Sequence, residues 1–256
     1  MCLILIAFKT VDHYPLLIAA NRDEFHARPA QKADWWPDDS DVLGGRDLQA
    51  GGTWLAVHRS GKFAAVTNYR DADSSKRGKR SRGHLVSEYL RGDLSPTEYL
   101  QTLDGDDFAG FNLLVSDGQT LAYQSNRSDS CGELPAGVYG LSNATLDTPW
   151  EKVERSKNKL QELIDAGAVN ETSLLRVLGD KEKGPVDEVK SDRLPFATAH
   201  AITAPFIVLP EYGTRCSTVV LADQNGRWSL VERRFAADGS KSGESRFSFS
   251  NTHSAA

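Results

Sequence analysis

The apolar positions come in short runs at the two ends of the chain and at helical spacing in its middle. Residues 3–8 (LILIAF) and 16–20 (LLIAA) are continuous apolar stretches separated by a polar turn at Asp12-His13. Runs this short and rich in Ile and Leu predict buried strands. Residues 53–57 and 63–69 flank Ser60-Gly61, and residues 111–115 and 120–124 flank Asp117-Gly118. Both are hairpin patterns. Residues 138–141, 217–222, 228–233 and 246–249 predict further strands, with a turn at Asn225-Gly226.

Helical patterns lie between these strands. Residues 85–90 form a short amphipathic stretch that stops at Gly92, and Ser95-Pro96-Thr97-Glu98 is a capping box with proline at the first helical position. Thr148-Pro149-Trp150-Glu151 repeats that logic, and Trp150, Val153, Leu160, Leu163 and Ile164 then follow at mostly helical spacing up to Gly167. Residues 173–178 predict one more helix, and the polar stretch 184–194 predicts a loop. Strands, then helices, then strands predict an α+β fold rather than alternating βαβ units. No repeat or low-complexity linker divides the chain, so residues 1–256 are expected to form a single domain, with a frayed tail from about residue 250.

Composition narrows the class without naming a function. Of the 256 residues 39% are hydrophobic and 25% charged, the balance of a globular protein. A net charge of −5 argues against nucleic acid as a partner. The apolar start is too short for a secretory signal and is interrupted by Lys9, Asp12 and His13. No run reaches the roughly 20 apolar residues of a spanning helix. Three cysteines, Cys2, Cys131 and Cys216, fit a reducing compartment better than a disulfide framework. The expectation is a cytoplasmic protein without stable membrane insertion.

Several residues could carry chemistry. Removal of Met1 would leave Cys2 with a thiol and a free α-amine, whose ordinary pKa values are about 8.5 and about 7.7–8.0, so the amine can take the thiol proton near neutral pH. By position alone Cys2 reads as a small residue opening a buried strand. Asn21-Arg22-Asp23-Glu24 follows an apolar run directly; it reads as a solvated strand end with local ion pairs, or as a carboxylate and guanidinium facing a substrate. Asn68 and Asn143 favour turns, and either amide could donate to an oxyanion. Arg215 stands at the head of a late apolar strand. Lys76, Arg77, Lys79, Arg80 and Arg82 form a basic segment expected to be a solvated loop that can attract anions. The six histidines show no metal-ligand spacing, and there is no phosphate-binding glycine fingerprint, so neither metal nor cofactor is expected.

In order, MCLILIAF, LIAANRDEFHARP, GGTWLAV, TNYR, GLSN with TPW, and YGTRCSTVVL resemble the NRDE family of transport and Golgi organization proteins, from residue 1 to about residue 235. That family in turn resembles the cysteine N-terminal nucleophile hydrolases of the penicillin V acylase and bile-salt hydrolase group. The resemblance implies a four-layer αββα sandwich. It implies Cys2 as nucleophile and, through its α-amine, base. Asp23 would orient the amine, Asn68 would hold the oxyanion, and Asn143 would hold the N-terminus. Arg215 would match the late-strand arginine. Asn21, Arg22, Glu24 and Trp54 are the expected ligand contacts. The arginine that precedes the aspartate by three residues in the hydrolases is replaced here by Ala20, and Arg22 stands on the same strand face by alternation. Two functions follow from the resemblance. One is an amidohydrolase or acyl-transfer enzyme acting on an amide or thioester of a hydrophobic acid. The other is a non-catalytic carrier of acyl-CoA, lipid or haem, linked to lipid metabolism. A protein-interaction role in secretory organisation is a third idea.

Overall fold

A computed structural model describes residues 2–70, 78–189 and 194–251. Lys76 and Arg77 of the basic segment, and the tail beyond residue 251, lie outside the described residues. The first two apolar runs form an antiparallel pair, β1 (Cys2–Val11) and β2 (Tyr14–Phe25), joined at Asp12-His13. Alternation divides their side chains between two cores. Ile4, Ile6, Phe8, Leu16, Ile18 and Ala20 face one side, while Leu3, Leu5, Ala7, Leu17 and Ala19 face the other. Burial on both faces explains why these runs read as continuously apolar.

β1 and β2 sit in a six-stranded sheet with β10 (Gly137–Leu141), β11 (Tyr212–Ala222), β12 (Arg227–Phe235) and β13 (Lys241–Ser250), in the order β10-β1-β2-β11-β12-β13. The second sheet runs β3 (Ala30–Trp36), β4 (Asp39–Asp47), β5 (Leu55–His58), β6 (Phe63–Asn68), β7 (Phe111–Ser116), β8 (Leu121–Ser125), β9 (Cys131–Glu133) in sequence order. Every strand pairing is antiparallel. The two sheets enclose a core of Ile6, Ile18, Leu43, Phe63, Leu114 and Val220 among others.

Helices cover both outer faces. α1 (Gly83–Arg91) and α2 (Pro96–Gln101) lay Leu85, Val86, Tyr89 and Leu100 on Ala64, Val66 and Leu113 of the second sheet. α3 (Glu151–Asp165) and α4 (Glu171–Leu178) lay Val153, Leu160, Leu174 and Leu178 on Leu3, Leu5, Ala19 and Val219 of the first. A short helix, α5 (Phe196–Ala201), precedes β11. The architecture is the expected α+β sandwich of four layers, αββα.

Local differences have local causes. The capping box at Ser95 and Glu98 forms with both reciprocal bonds. The one expected at Thr148 does not: Trp150 remains extended and occupies the cap position, α3 starts at Glu151, and the Thr148 hydroxyl turns back to the Thr145 carbonyl at 2.8 Å. α4 begins two residues before the expected 173, because Asn170 supplies its own capping box with Ser173. A 3-10 turn (Val186–Glu188) interrupts the stretch expected as loop. The described part of the basic segment is tethered rather than freely solvated: Arg80 pairs with Glu88, Lys79 with Asp107 at 3.1 Å, and Arg82 donates to the Gly110 carbonyl at 3.0 Å. Among the described residues no helix is long and apolar enough to cross a membrane.

Candidate active site

The end of β1 lies opposite the end of β2, with Cys2 paired to Arg22, and Arg22 is paired on its other side to Cys216 of β11. Parity along β1 and β2 sends the Cys2 and Arg22 side chains toward the space between the sheets, as it does for Ile4 and Ala20. The apolar core stops at this level, and a cleft of about 280 Å³ opens. Cys2, Arg22, Asp23, Glu24, Trp54 and Asn68 all line it.

Trp54 forms one wall. Its indole lies over Gly45, where a Cβ would come within 2.3 Å of the ring, so only glycine admits it. On the cleft side the Arg22 guanidinium sits 4.0 Å from the ring centroid, a cation–π contact that fixes a charge only 6% exposed. A second wall comes from the start of α1. Gly52 packs there on the Gly83 backbone, and a Cβ at Gly52 would meet the Gly83 carbonyl carbon at 2.4 Å. Glu24, Arg28 and Asp47 close a third side, with Arg28 bridging Asp47 at 2.7 Å.

Asn143 holds the Cys2 end of the cleft. It follows β10, which pairs with β1, and it is 2% exposed. Its Oδ1 accepts the Cys2 backbone N–H at 2.9 Å, and its Nδ2 donates to the Asn68 carbonyl at 2.7 Å. One amide thus ties the first strand of one sheet to the end of β6 in the other. Ser142 adds a bond from its hydroxyl to the Cys2 carbonyl at 2.6 Å. The Thr67 hydroxyl donates to the Ser142 carbonyl at 2.7 Å, and Asn112 donates to Thr67 Oγ1 at 3.1 Å and to the Ala144 carbonyl at 2.9 Å. This network is buried and runs to Tyr123, whose hydroxyl donates to Asn112 Oδ1 at 2.8 Å.

Asp23 lies on the opposite strand face from Arg22, toward α3. The Thr214 hydroxyl donates to its Oδ1 at 2.7 Å, and the Tyr212 hydroxyl donates to its carbonyl at 2.8 Å. Burial raises its pKa to about 6, against the pull of nearby positive charge that includes Lys152 and Arg22. Burial also pushes the Cys2 thiol up, and the Asp23 charge adds to that, while the Asp23 backbone N–H and Arg22 favour the thiolate. Cys216 is buried deeper, and its thiol is pushed well up for the same reason. Cys2 and Cys216 stand two strands apart, about 10 Å, too far for a disulfide, and Cys2, Cys131 and Cys216 are free. Among the described residues no three His, Cys, Asp or Glu side chains gather as metal ligands.

Not every residue singled out from the sequence meets in the cleft. Cys2, Asp23 and Asn68 line it and Asn143 bonds to two of them, with Arg22, Glu24 and Trp54 beside them. Asn21 is elsewhere. It faces the helix layer, donates to the carbonyls of Leu178 at 2.8 Å and Pro205 at 2.9 Å, and accepts from Ser217 at 2.6 Å. Arg215 is the extra residue of a bulge between Thr214 and Cys216. Bulges re-aim a side chain, and here Nη1 donates to the carbonyls of Phe25 at 2.8 Å and Arg28 at 3.1 Å. Arg215 lines an adjoining hollow that shares Arg22 and Trp54 with the cleft. Lys152, buried on α3, had no sequence signal, because a lysine in a first helical turn ordinarily reads as exposed. Ser142, Thr67 and Asn112 were equally silent.

Residues 1–237 match the family described as Transport and Golgi organisation 2, TANGO2. The bovine Transport and Golgi organization protein 2 homolog is 36% identical, over 91% of this chain and 92% of its own. The human homolog is 35% identical over the same shares. The Drosophila melanogaster Transport and Golgi organization protein 2 is 30% identical over 86% of each. Two solved structures share the fold. The C2A mutant of conjugated bile acid hydrolase from Clostridium perfringens superposes with a TM-score of 0.52 at 11% identity, over 98% of each chain. A Caenorhabditis elegans ortholog of N-acylethanolamine-hydrolyzing acid amidase superposes with a TM-score of 0.51 at 12% identity, over 86% of this chain and 92% of that one. The fold is that of the N-terminal nucleophile hydrolases. A family match over residues 1–237, with relatives of 35–36% identity over about nine tenths of both chains, settles its membership: the chain belongs to the Transport and Golgi organisation 2 family.

Proposed function

We propose that the protein is a cysteine N-terminal nucleophile hydrolase that cleaves an amide or thioester of a hydrophobic acyl group, with the Cys2 thiol as nucleophile after removal of Met1. The observation that carries this reading is the bond from the Cys2 nitrogen to Asn143 Oδ1 at 2.9 Å, at the foot of a cleft that also holds Asn68 and Asp23. Once Met1 is gone that nitrogen is an α-amine already held beside its own thiol. The amine takes the thiol proton and the thiolate attacks the acyl carbonyl. Asn68, whose carbonyl is fixed by Asn143, offers its side-chain amide to the oxyanion. The ammonium returns the proton to the leaving amine or thiol. A water, deprotonated by the same amine, then releases the acid. Asp23, buried behind the strand, favours the ammonium form of the amine.

A cleft of about 280 Å³ sits at the lower end of the range for small-molecule sites and suits the reacting group with part of its acyl chain. The body of a larger substrate would lie outside it, over Arg80 and Arg82 at the rim. A second reading, a carrier of acyl-CoA, lipid or haem in the same cleft, draws on Arg22, Arg28, Arg80 and Arg82, four cations that suit an anionic ligand whether or not it is cleaved. Intact mass separates the two readings, together with trapping by an activated acyl ester. Loss of Met1 and one acyl adduct on Cys2, absent from Cys2→Ala, supports the enzyme. Quantitative retention of Met1, with ligand binding unaffected by Cys2→Ala, supports the carrier.

A further inference from the structure

A second cavity lies behind the nucleophile strand, between the start of α3 and the segment that carries α5. Its volume is about 630 Å³, more than twice that of the cleft at Cys2, and within the range of small-molecule sites. Trp150, Val189, Ala199 and Ile202 give it apolar walls. Among the described residues two cations line it, Arg70 and Lys152.

Lys152 is the unusual member. It is 2% exposed, at the second position of α3, where long charged side chains are almost never buried without a partner. An ammonium has three protons to donate. Among the described residues its hydrogen bond is a single long one, 3.4 Å to the Ile202 carbonyl, itself a wall of the cavity. The charge of Asp23 favours the ammonium through space, while Asp23 Oδ1 takes the Thr214 hydroxyl at 2.7 Å. Of the acids among the described lining residues, Glu151 is bridged to Arg155 at 3.0 Å and Asp187 stands exposed.

A buried cation, a second cation beside it and apolar walls describe one ligand chemistry. We propose that this cavity is a binding site, separate from the cleft at Cys2, for a small organic carboxylate with an apolar body. The carboxylate meets Lys152 and Arg70, and the body packs on Trp150, Ala199 and Ile202. Lys152 lines the cavity and its charge acts on Asp23, so an anion bound at Lys152 would change the charge that Asp23 meets without contact between the two ligands.

The test uses octanoate, its neutral counterpart octanol, and competition by each against the fluorescent anion 8-anilinonaphthalene-1-sulfonate on the full chain. Octanoate is expected to displace the dye at least tenfold more effectively than octanol. Lys152→Met removes the ammonium and should weaken octanoate at least tenfold, while Lys152→Arg keeps most of the affinity. Ala199→Trp fills the cavity from α5 with Lys152 in place and should weaken octanoate and octanol alike, which keeps the test sharp if Lys152→Met does not fold. Blocking the other cleft by alkylating Cys2 with iodoacetamide, in a Cys131→Ser background that removes the exposed thiol, should change octanoate binding less than twofold. Equal displacement by octanol and octanoate, no binding by wild type, binding unaffected by Ala199→Trp, or loss of binding on Cys2 alkylation would each overturn the proposal.

Discussion

Replacing Asp23 with asparagine should stabilise the protein at neutral pH while removing the carboxylate from the site. The substitution keeps the shape and the Oδ1 acceptor that takes the Thr214 hydroxyl at 2.7 Å, so what it removes is the charge. In the folded protein burial lifts this carboxyl from 3.8 to about 6. A carboxyl whose folded pKa lies above its unfolded one is held protonated by folding between those two values, so ionising it favours the unfolded chain. Below about pH 4 both states are protonated and the group is neutral in the balance. Above about pH 6 the folded state bears the full cost of a buried charge. Two pKa units correspond to about 3 kcal/mol. Wild type should therefore lose stability from this group as pH rises from 4 to 6, and Asp23→Asn should not. The assay is urea unfolding of both proteins at half-unit steps from pH 4 to 8. The expected difference is near zero at pH 4 and on the order of 2–3 kcal/mol in favour of the variant at pH 8, because a buried carboxylate's penalty is relieved. Thr214→Val removes a donor to the ionised form and should move the midpoint of the wild-type loss to higher pH. If Asp23→Asn is less stable than wild type at pH 8, or the difference does not change with pH, the assigned burial penalty is wrong.

Other variants separate positioning from packing. Asn143→Ala strands the Cys2 nitrogen and the Asn68 carbonyl and should cost about 2–4 kcal/mol, with a thermal midpoint lower by about 5–15 °C by calorimetry. Asn21→Ala loses three buried bonds at the other face and should cost a similar 2–4 kcal/mol by urea unfolding, yet leave the rate of Cys2 alkylation within about twofold. Arg22→Met keeps an unbranched side chain over Trp54 but removes the guanidinium. It should slow capture of an anionic acyl ester by about tenfold and change stability by under about 2 kcal/mol, read by stopped-flow acylation and urea unfolding. Ser95→Ala breaks the capping box of α2 and should cost about 1 kcal/mol, a thermal midpoint shift of about 2–4 °C.

The sandwich was legible where one rule governs a segment. Residues 3–8 of β1, 16–20 of β2 and 219–222 of β11 are buried on both faces, so each reads as an unbroken apolar run, and the antiparallel pairing of β1 with β2 and of β11 with β12 follows from short turns. β3 and β4 gave no such signal. Their outward positions carry Gln31, Lys32, Asp34, Ser40 and Asp41, Pro37 interrupts them, and much of their burial comes from contacts distant in sequence, such as the Ala33 N–H on Glu232 at 2.8 Å. The cap at Thr148 misled because the cap motif specifies a possible bond and not the extended backbone of Trp150 that shifts the helix start. Cys2, Asp23, Asn68 and Asn143 were reached through a resemblance of motifs, since alone each has an ordinary explanation. Lys152, Ser142 and Asn112 were out of reach. What makes them matter is the burial and the partner supplied by other elements, and neither is written in their neighbours.

The four residues Asn21-Arg22-Asp23-Glu24 look like one charged cluster in the sequence and are two in the structure. A strand sends alternate side chains to opposite faces, so Arg22 and Glu24 turn toward the cleft between the sheets while Asn21 and Asp23 turn toward the helices. The front pair meets whatever enters the cleft. Of the back pair, Asn21 fastens the end of α4 and the segment before β11, and Asp23 faces Thr214 and the field of Lys152. The chemistry proposed for Cys2 would depend on both sides of a single strand: Arg22 and Trp54 shape the space in front, and Asp23 with Lys152 sets the charge behind. A substituent on either side can reach the thiol without touching it. A one-residue slip of β2 would exchange the two faces and turn Arg22 and Glu24 away from the cleft.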